Sequence, residues 1–394
     1  MGFARHAWGS ALFVALISAG SIHAQGHTVV ESPSVAIPEA RDADAPIRFF
    51  GSIDYLLFTF RDGPAPPLIQ HVPTDQFTQP LDPNAPRTMF GDGIRHHAFN
   101  GFYLSGGAWV TECFGVDASY AQFETKDKKF FINSPGDPSI GRYFVDLTNS
   151  SSPYTYLVYS RPDGTETGWI SVSSPIQFWH ADTNVRGHGF SVFSDRVDWL
   201  VGFHYADLRD GIFIQDYTAF PSNGVSLAGD ESFRARNQFY GGQVGANAWT
   251  GLGCGFSLDV TSKFAVGGIH QRASITGSTV QALNGVTTAV YAGDVLAQST
   301  NIGDYERTKF GVLSELLVKL GYQVTNNICV TVGYDLVAIS SVVRAGSIID
   351  EGVNPNVNPT LSPSSASTAQ RPAFGFNATD FWAQGLTLGL SVKY

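Results

Sequence analysis

The end of the chain alternates. Trp382, Leu386, Leu388, Leu390, Val392 and Tyr394 share one parity, while Ala383, Gly385, Thr387, Gly389, Ser391 and Lys393 occupy the other. Successive side chains of an extended strand point to opposite faces, so the pattern predicts a strand with one large apolar face and one small or polar face. Residues 328–342 repeat it, with Ile328, Val330, Val332, Tyr334 and Leu336 opposite Cys329, Thr331, Gly333 and Asp335. So do 310–322, 197–205 and 256–266, and more weakly 49–59, 102–110, 114–123, 179–185 and 239–249. These stretches predict an all-β chain of about ten strands, with twelve as the alternative count.

One amphipathic strand fits a soluble sandwich as well as a membrane barrel. The connections separate the two. Tight joints are expected at Thr111-Glu112, Ser194-Asp195, Thr250-Gly251-Leu252-Gly253 and Thr325-Asn326-Asn327. Between them lie long segments at 61–95, 126–169, 218–232, 277–304 and 346–380, the first rich in proline. Short periplasmic turns alternating with long extracellular loops are the layout of a transmembrane antiparallel up-and-down β-barrel. A soluble sandwich rarely carries several long loops at one end.

Composition agrees with this reading. Forty-two Gly, 29 Phe and 15 Tyr against 2 Met favour strands over helices. Charged residues make up 15% of the chain, against roughly 25% in soluble domains. A net charge of −10 excludes a nucleic-acid binder, which needs clustered Lys and Arg. Arg5 and His6, an apolar stretch from Ala11 to Ala19, and Ile22-His23-Ala24 before Gln25 predict a signal peptide over 1–24. A short flexible segment (25–47) and a barrel domain (48–394) follow. No later segment approaches the roughly 18–20 consecutive apolar residues of a membrane helix, so a membrane form must be a closed barrel. Cys113, Cys254 and Cys329 lack metal-ligand spacing and read as small strand residues.

The inward parity collects charge: Asp54, Asp117, Asp182, Arg186, Asp198, Asp259, Lys263, Lys309, Glu315, Lys319 and Asp335, with Arg307 nearby. These are the predicted lumen-lining residues. Charged rings can make a selective channel. About ten strands leave little room, however, and the mixed signs favour mutual pairing. Phe49, Phe50, Tyr55, Trp109, Trp179, Trp199, Trp249, Trp382 and Tyr394 are candidates for interfacial girdles. His96, His97, His180 and His188 read as loop or lumen histidines, with no metal or cofactor expected. His180, Asp182, His188 and Ser191 lie close in sequence, but nothing there resembles a nucleophile elbow, and no enzyme is expected.

Two resemblances add to these readings. The segment 387–394 looks like the C-terminal signal of outer-membrane proteins, carried by Thr387, Gly389, Val392 and Tyr394. That implies recognition by the barrel-assembly machinery. Asp54-Tyr55-Leu56-Leu57-Phe58, Met89-Phe90-Gly91-Asp92, Val342-Val343-Arg344-Ala345-Gly346-Ser347-Ile348-Ile349-Asp350 and Asp380-Phe381-Trp382-Ala383-Gln384-Gly385-Leu386 carry a second likeness. On these segments the chain resembles the planctomycete outer-membrane β-barrel porins of type seven, from about residue 50 to 394. Ala345 stands where that pattern has Pro, and Phe58 where it has Trp. The resemblance implies an outer-membrane location and no active site. The expected function is porin-like, passive passage of small solutes through a narrow charged lumen. The alternative is a structural or adhesive barrel with a closed lumen that acts through its extracellular loops. Expected partners are outer-membrane lipid, the assembly machinery and small solutes, and no nucleic acid.

Overall fold

The computed structural model describes residues 48–72, 88–149, 154–189, 195–361, 363 and 365–394. The expected signal peptide, the segment 25–47 and Ser191 lie outside the described residues. Ten strands form one ring: β1 (Arg48–Phe60), β2 (Phe99–Trp109), β3 (Phe114–Phe123), β4 (Thr167–His188), β5 (Arg196–Phe220), β6 (Val225–Gly253), β7 (Phe256–Leu283), β8 (Gly303–Gln323), β9 (Ile328–Val343) and β10 (Ala378–Lys393). Each pairs antiparallel with its sequence neighbours, and β10 closes on β1 from Phe50↔Lys393 to Phe60↔Ala383. Closure leaves no open edge in the ring, as hydrocarbon requires of strands that cross it.

The outward side chains form an apolar band. Ile53, Tyr55 and Leu57 on β1 are exposed, as are Val201 and Phe203 on β5, Val330 and Val332 on β9, and Leu386, Leu388 and Leu390 on β10. Their inward neighbours are Asp54, His204, Thr331 and Thr387, all buried. The joints at one end are short: Cys254 and Gly255, both at positive φ, turn β6 into β7, and 324–327 join β8 to β9.

Strand length departs from the sequence expectation. β5, β6 and β7 have 25, 29 and 28 residues. At about 3.3 Å per residue β6 is roughly 95 Å long. The apolar band of such a barrel is only about 25 Å tall, and even a 45° tilt leaves much of β6 beyond it. The strands β4–β8 therefore continue past the barrel as a sheet.

The apolar face changes sides along these strands. In β5, Trp199, Val201 and Phe203 point outward. Farther along, Leu208, Ile212 and Ile214 point inward and are buried, while Arg209 and Gln215 face out. Beyond the lipid, water rewards the opposite alternation. The expected loop at 218–232 is consequently a turn at 221–224 between continuing strands. The expected loop at 277–304 includes a hairpin, with Val286–Ala292 folding back on β7. In 126–169, Lys126–Ser134 pairs with the outer half of β4 from Lys126↔Ile176 to Ser134↔Gly168.

A second, small sheet packs on the inner face of this extension. Thr88–Phe90, Ile69–His71, Ile140–Asp146 and Gly352–Val353 run side by side, and Tyr154–Val158 adds to Ile140–Asp146. Ile69, Phe90 and Ile140 from these segments, with the adjoining Leu68, share a core with Ile170, Val172, Ile212, Ile214 and Phe233 of the wall. The long loops are thus a folded cap. Two of the three cysteines, Cys113 and Cys254, sit exposed in turns instead of in strands, and only Cys329 is a buried strand residue.

These facings predict the cost of substitutions in β10. Leu388→Arg puts a charge into lipid and should cost about 2–4 kcal/mol near the midplane, whereas Ser391→Ala should be mild. Denaturant unfolding in bilayers measures both, and equal losses would contradict the assignment.

Candidate functional site

The lumen can be read along β4, whose even-numbered side chains point inward. From the cap downward these are Ile170 and Val172, then Ile176 and Phe178, then His180, Asp182 and Asn184, and finally Arg186 and His188 near the short turns. Each group belongs to a different layer of the interior.

Near the short turns, Asp198 is the hub. It accepts from Arg196 at 2.7 Å and contacts His188 Nδ1 at 2.7 Å. Arg186 lies 3.6 Å from Asp198 and 3.8 Å from Asp117. The Arg186 guanidinium also covers the Phe50 ring, and the Trp109 ring stacks on His188 with centroids 4.3 Å apart. Phe50 and Trp109 therefore serve the lumen, which corrects their expected place in the aromatic girdle. Phe49, Tyr55, Trp199 and Tyr394 do face outward.

The next layer is a buried polar network. Lys263 on β7 donates to Asp182 on β4 at 2.7 Å and lies 3.4 Å from Glu315 on β8. Asp182 also accepts from Ser119, from Asn184 at 2.7 Å and from Gln243 at 3.2 Å. Lys319 on β8 donates to Asp54 on β1 at 2.7 Å, and Ser52 donates to the same carboxylate at 2.9 Å. Asp182–Lys263 and Asp54–Lys319 each join strands three places apart in the ring. Three strand spacings are roughly 14 Å of wall, so these contacts cross the lumen. Gly389 sits opposite Asp54, and a Cβ there would lie 2.1 Å from its Oδ1. Glycine at this position makes room for the carboxylate.

Above the network the lumen is filled by phenylalanine. Phe178 on β4 and Phe381 on β10 have centroids 5.0 Å apart, although they stand four strands apart in the ring. Phe60 lies 5.9 Å from Phe178, 5.5 Å from Phe381 and 3.8 Å from Phe99. The three separations of 5.0–5.9 Å are those of attractive ring pairs. The Arg344 guanidinium lies over Phe381 and pairs with Asp210, tying the segment after β9 to β5.

A second buried cluster holds the cap. Arg142 bonds Asp294 at 2.7 Å, Asp216 at 3.0 Å and also Glu231. Glu231 in turn accepts from the backbone N–H of Ala297 at 2.7 Å. Burial disfavours the Arg142 charge, but Glu231, Tyr159, Asp294 and Asp216 outweigh it and hold its pKa well above the ordinary arginine value.

Of the expected lumen residues, Asp54, Asp182, Asp198, Lys263, Glu315, Lys319 and Asp335 are buried inside the ring, and Asp117, Arg186 and Asp259 are half-buried. Asp259 accepts from Asn247 at 2.8 Å. Lys309 does not join them: it is exposed, where β8 has run past its last pairing with β9 at Leu313↔Ile339. Arg307 belongs to the cap side, donating to Gln271 at 2.6 Å and lying over Phe376. Thr387 is buried and Val392 outward, while the Tyr394 backbone N–H donates to Phe49 O at 2.8 Å. His96 contacts Ser174 O at 2.8 Å and lies beside the Phe99 ring. Sequence reasoning missed the neutral members Ser119, Asn184, His204 and Gln243. Their inward parity was readable, but their convergence from different strands was not.

The Lys319–Asp54 pair predicts an asymmetry. Lys319→Met should cost about 3–5 kcal/mol by leaving a buried carboxylate unpaired, and adding Asp54→Asn should recover most of that. Equal unfolding free energies for single and double variants would contradict it.

The "Putative beta barrel porin-7 (BBP7)" family model matches residues 50–394. A search of the curated proteins finds no match. Among solved structures, the outer membrane protease OmpT from Escherichia coli is similar at 9% identity and a TM-score of 0.38, covering 90% of this chain and 100% of that one. A Pseudomonas aeruginosa FadL homologue is similar at 7% identity and 0.24, covering 88% and 90%. An anion-selective porin from Comamonas acidovorans is similar at 8% and 0.13, covering 89% and 99%. With a ring of ten strands, an apolar outer band and a family match over nearly all of that ring, the chain belongs to the beta barrel porin-7 family and is an outer-membrane β-barrel.

Proposed function

We propose that this barrel keeps its lumen closed and works through the wall and cap that it builds outside the membrane, as a structural or adhesive element of the cell surface. The observation that carries this reading is the Phe178–Phe381 contact at 5.0 Å across the ring. Directly beneath it, Lys263 and Lys319 make cross-lumen pairs, so a solute would have to displace two unlike layers in succession. Each lysine pair would lose its partner on opening, and buried charges without partners are costly. The cap adds a third obstacle, because Arg142 anchors it through three carboxylates. The extension also presents surface: a groove of about 600 Å³ runs across β4–β8, lined by Arg209, Arg234, Arg236 and Arg272 with Phe213.

Passive passage of small solutes through a narrow charged lumen is the competing reading, favoured by the family's description. The proposal includes no catalytic step. It takes outer-membrane lipid as the partner of the apolar band. It takes the barrel-assembly machinery as the reader of the last strand, whose terminal Tyr394 is exposed.

Planar-bilayer recording separates the two readings. Repeated insertions of the purified protein should give no channel steps. Regular steps of one size would establish passage and remove the closed-lumen reading.

A further inference from the structure

Three side chains of the lumen network come together from three strands. His180 on β4, His204 on β5 and Glu315 on β8 are buried, and each brings one ligand atom to within 4.8 Å of the others. The two imidazoles lie nearly parallel, with centroids 5.3 Å apart and planes 19° apart. His204 Nδ1 is held by Gln243 Oε1 at 2.9 Å, which leaves Nε2 without a partner. Neither ring nitrogen of His180 has a partner. Buried polar atoms are almost always satisfied, so three orphaned nitrogens in one place call for a ligand.

Charge points the same way. Among the described residues of this layer, the fully buried carboxylates are Asp54, Asp182, Glu315 and Asp335, and the buried ammonium groups are Lys263 and Lys319. Ionised together, four carboxylates against two ammonium groups would leave a surplus of two negative charges. Lys319 is committed to Asp54, and Lys263 bonds Asp182 at 2.7 Å but reaches Glu315 only at 3.4 Å. Asp335 Oδ1 has no hydrogen-bond partner. A divalent cation placed between the histidines and Glu315 would neutralise the layer.

We infer that His180, His204 and Glu315 form a buried site for a divalent transition metal, with zinc the ion that the donor set fits. Two imidazoles and a carboxylate are established zinc ligands. Gln243 supplies the outer hydrogen bond that fixes a ligating imidazole, accepting from Nδ1–H so that the Nε2 lone pair faces the metal. Bonds of about 2.0–2.2 Å set tetrahedral ligand atoms roughly 3.4 Å apart, so atoms within 4.8 Å of one another must close by up to about 1.4 Å. Glu315 would give up one of its two long contacts with Lys263 to turn an oxygen toward the ion, and Lys263 would keep Asp182 at 2.7 Å. The metal would staple β4 and β5 to β8 across the lumen. A site sealed beneath the phenylalanine layer must fill during folding, which couples metal binding to barrel formation.

The test is to fold the full chain from denaturant into detergent with Zn2+, with Co2+ or with a chelator. Excess ion is removed and bound metal per chain is measured. Folded protein should retain one Zn2+ per chain and unfold at a higher denaturant concentration than the chelator-treated sample. The Co2+ form should show tetrahedral d–d absorption. His180→Gln and His204→Gln should abolish retention, whereas His188→Gln, outside the cluster, should keep it. Folded wild-type protein that holds no metal and shows no Co2+ band would overturn the inference, and would mean that protons balance the surplus charge. So would undiminished retention by both histidine variants. The Co2+ spectrum of the wild type decides even where a variant fails to fold.

Discussion

Lipid forbids charge on the outside of this ring, and the inside is too narrow to let charges stand in bulk water. That pair of constraints organises the molecule. Lysines and carboxylates turned inward must find each other, and they do so across the lumen: Lys319 with Asp54, and Lys263 with Asp182. A barrel of about ten strands is near the width at which opposite walls can touch through their side chains. The phenylalanine layer follows the same rule with apolar groups, filling the space above the network through Phe60, Phe99, Phe178 and Phe381.

The second organising feature is that the wall outlasts the membrane. Where lipid ends, the preferred alternation reverses, and β5 shows the change within one strand between Phe203, which faces out, and Leu208, which faces in. The reversed face needs something to cover it, and the loops supply that cover. Arg142 is central here because it converts three buried carboxylates from different segments into one anchored joint. Cap, aromatic layer and polar network are therefore successive consequences of one long sheet passing from lipid into water.

This also explains what the sequence made legible. The membrane band was readable because large apolar residues alternate there with Gly and polar residues, as in 386–392 and 328–336. The ring of ten, its closure and its outer-membrane setting followed. The outer halves of β5, β6 and β7 were not readable as strands, because their apolar residues change parity and the alternation looks interrupted. Trp109 and Phe50 suggest a girdle by their position near strand ends. Their parity, shared with Tyr103 on β2 and Asp54 on β1, already placed them inside. The lumen charges were identifiable by parity alone, yet their partners were not. Lys319 and Asp54 are separated by 265 residues, and no local pattern encodes that pairing. Arg142 and its three acids were invisible for the same reason.

Side chains from opposite walls meet inside the barrel. A double-mutant cycle on Phe178→Ala and Phe381→Ala tests it most directly, by unfolding the wild type, both single variants and the double variant in detergent. A coupling of about 0.5–1.5 kcal/mol is expected, as for rings in contact. Effects that add to within about 0.3 kcal/mol would mean that the two rings do not touch, and that the lumen between them is open.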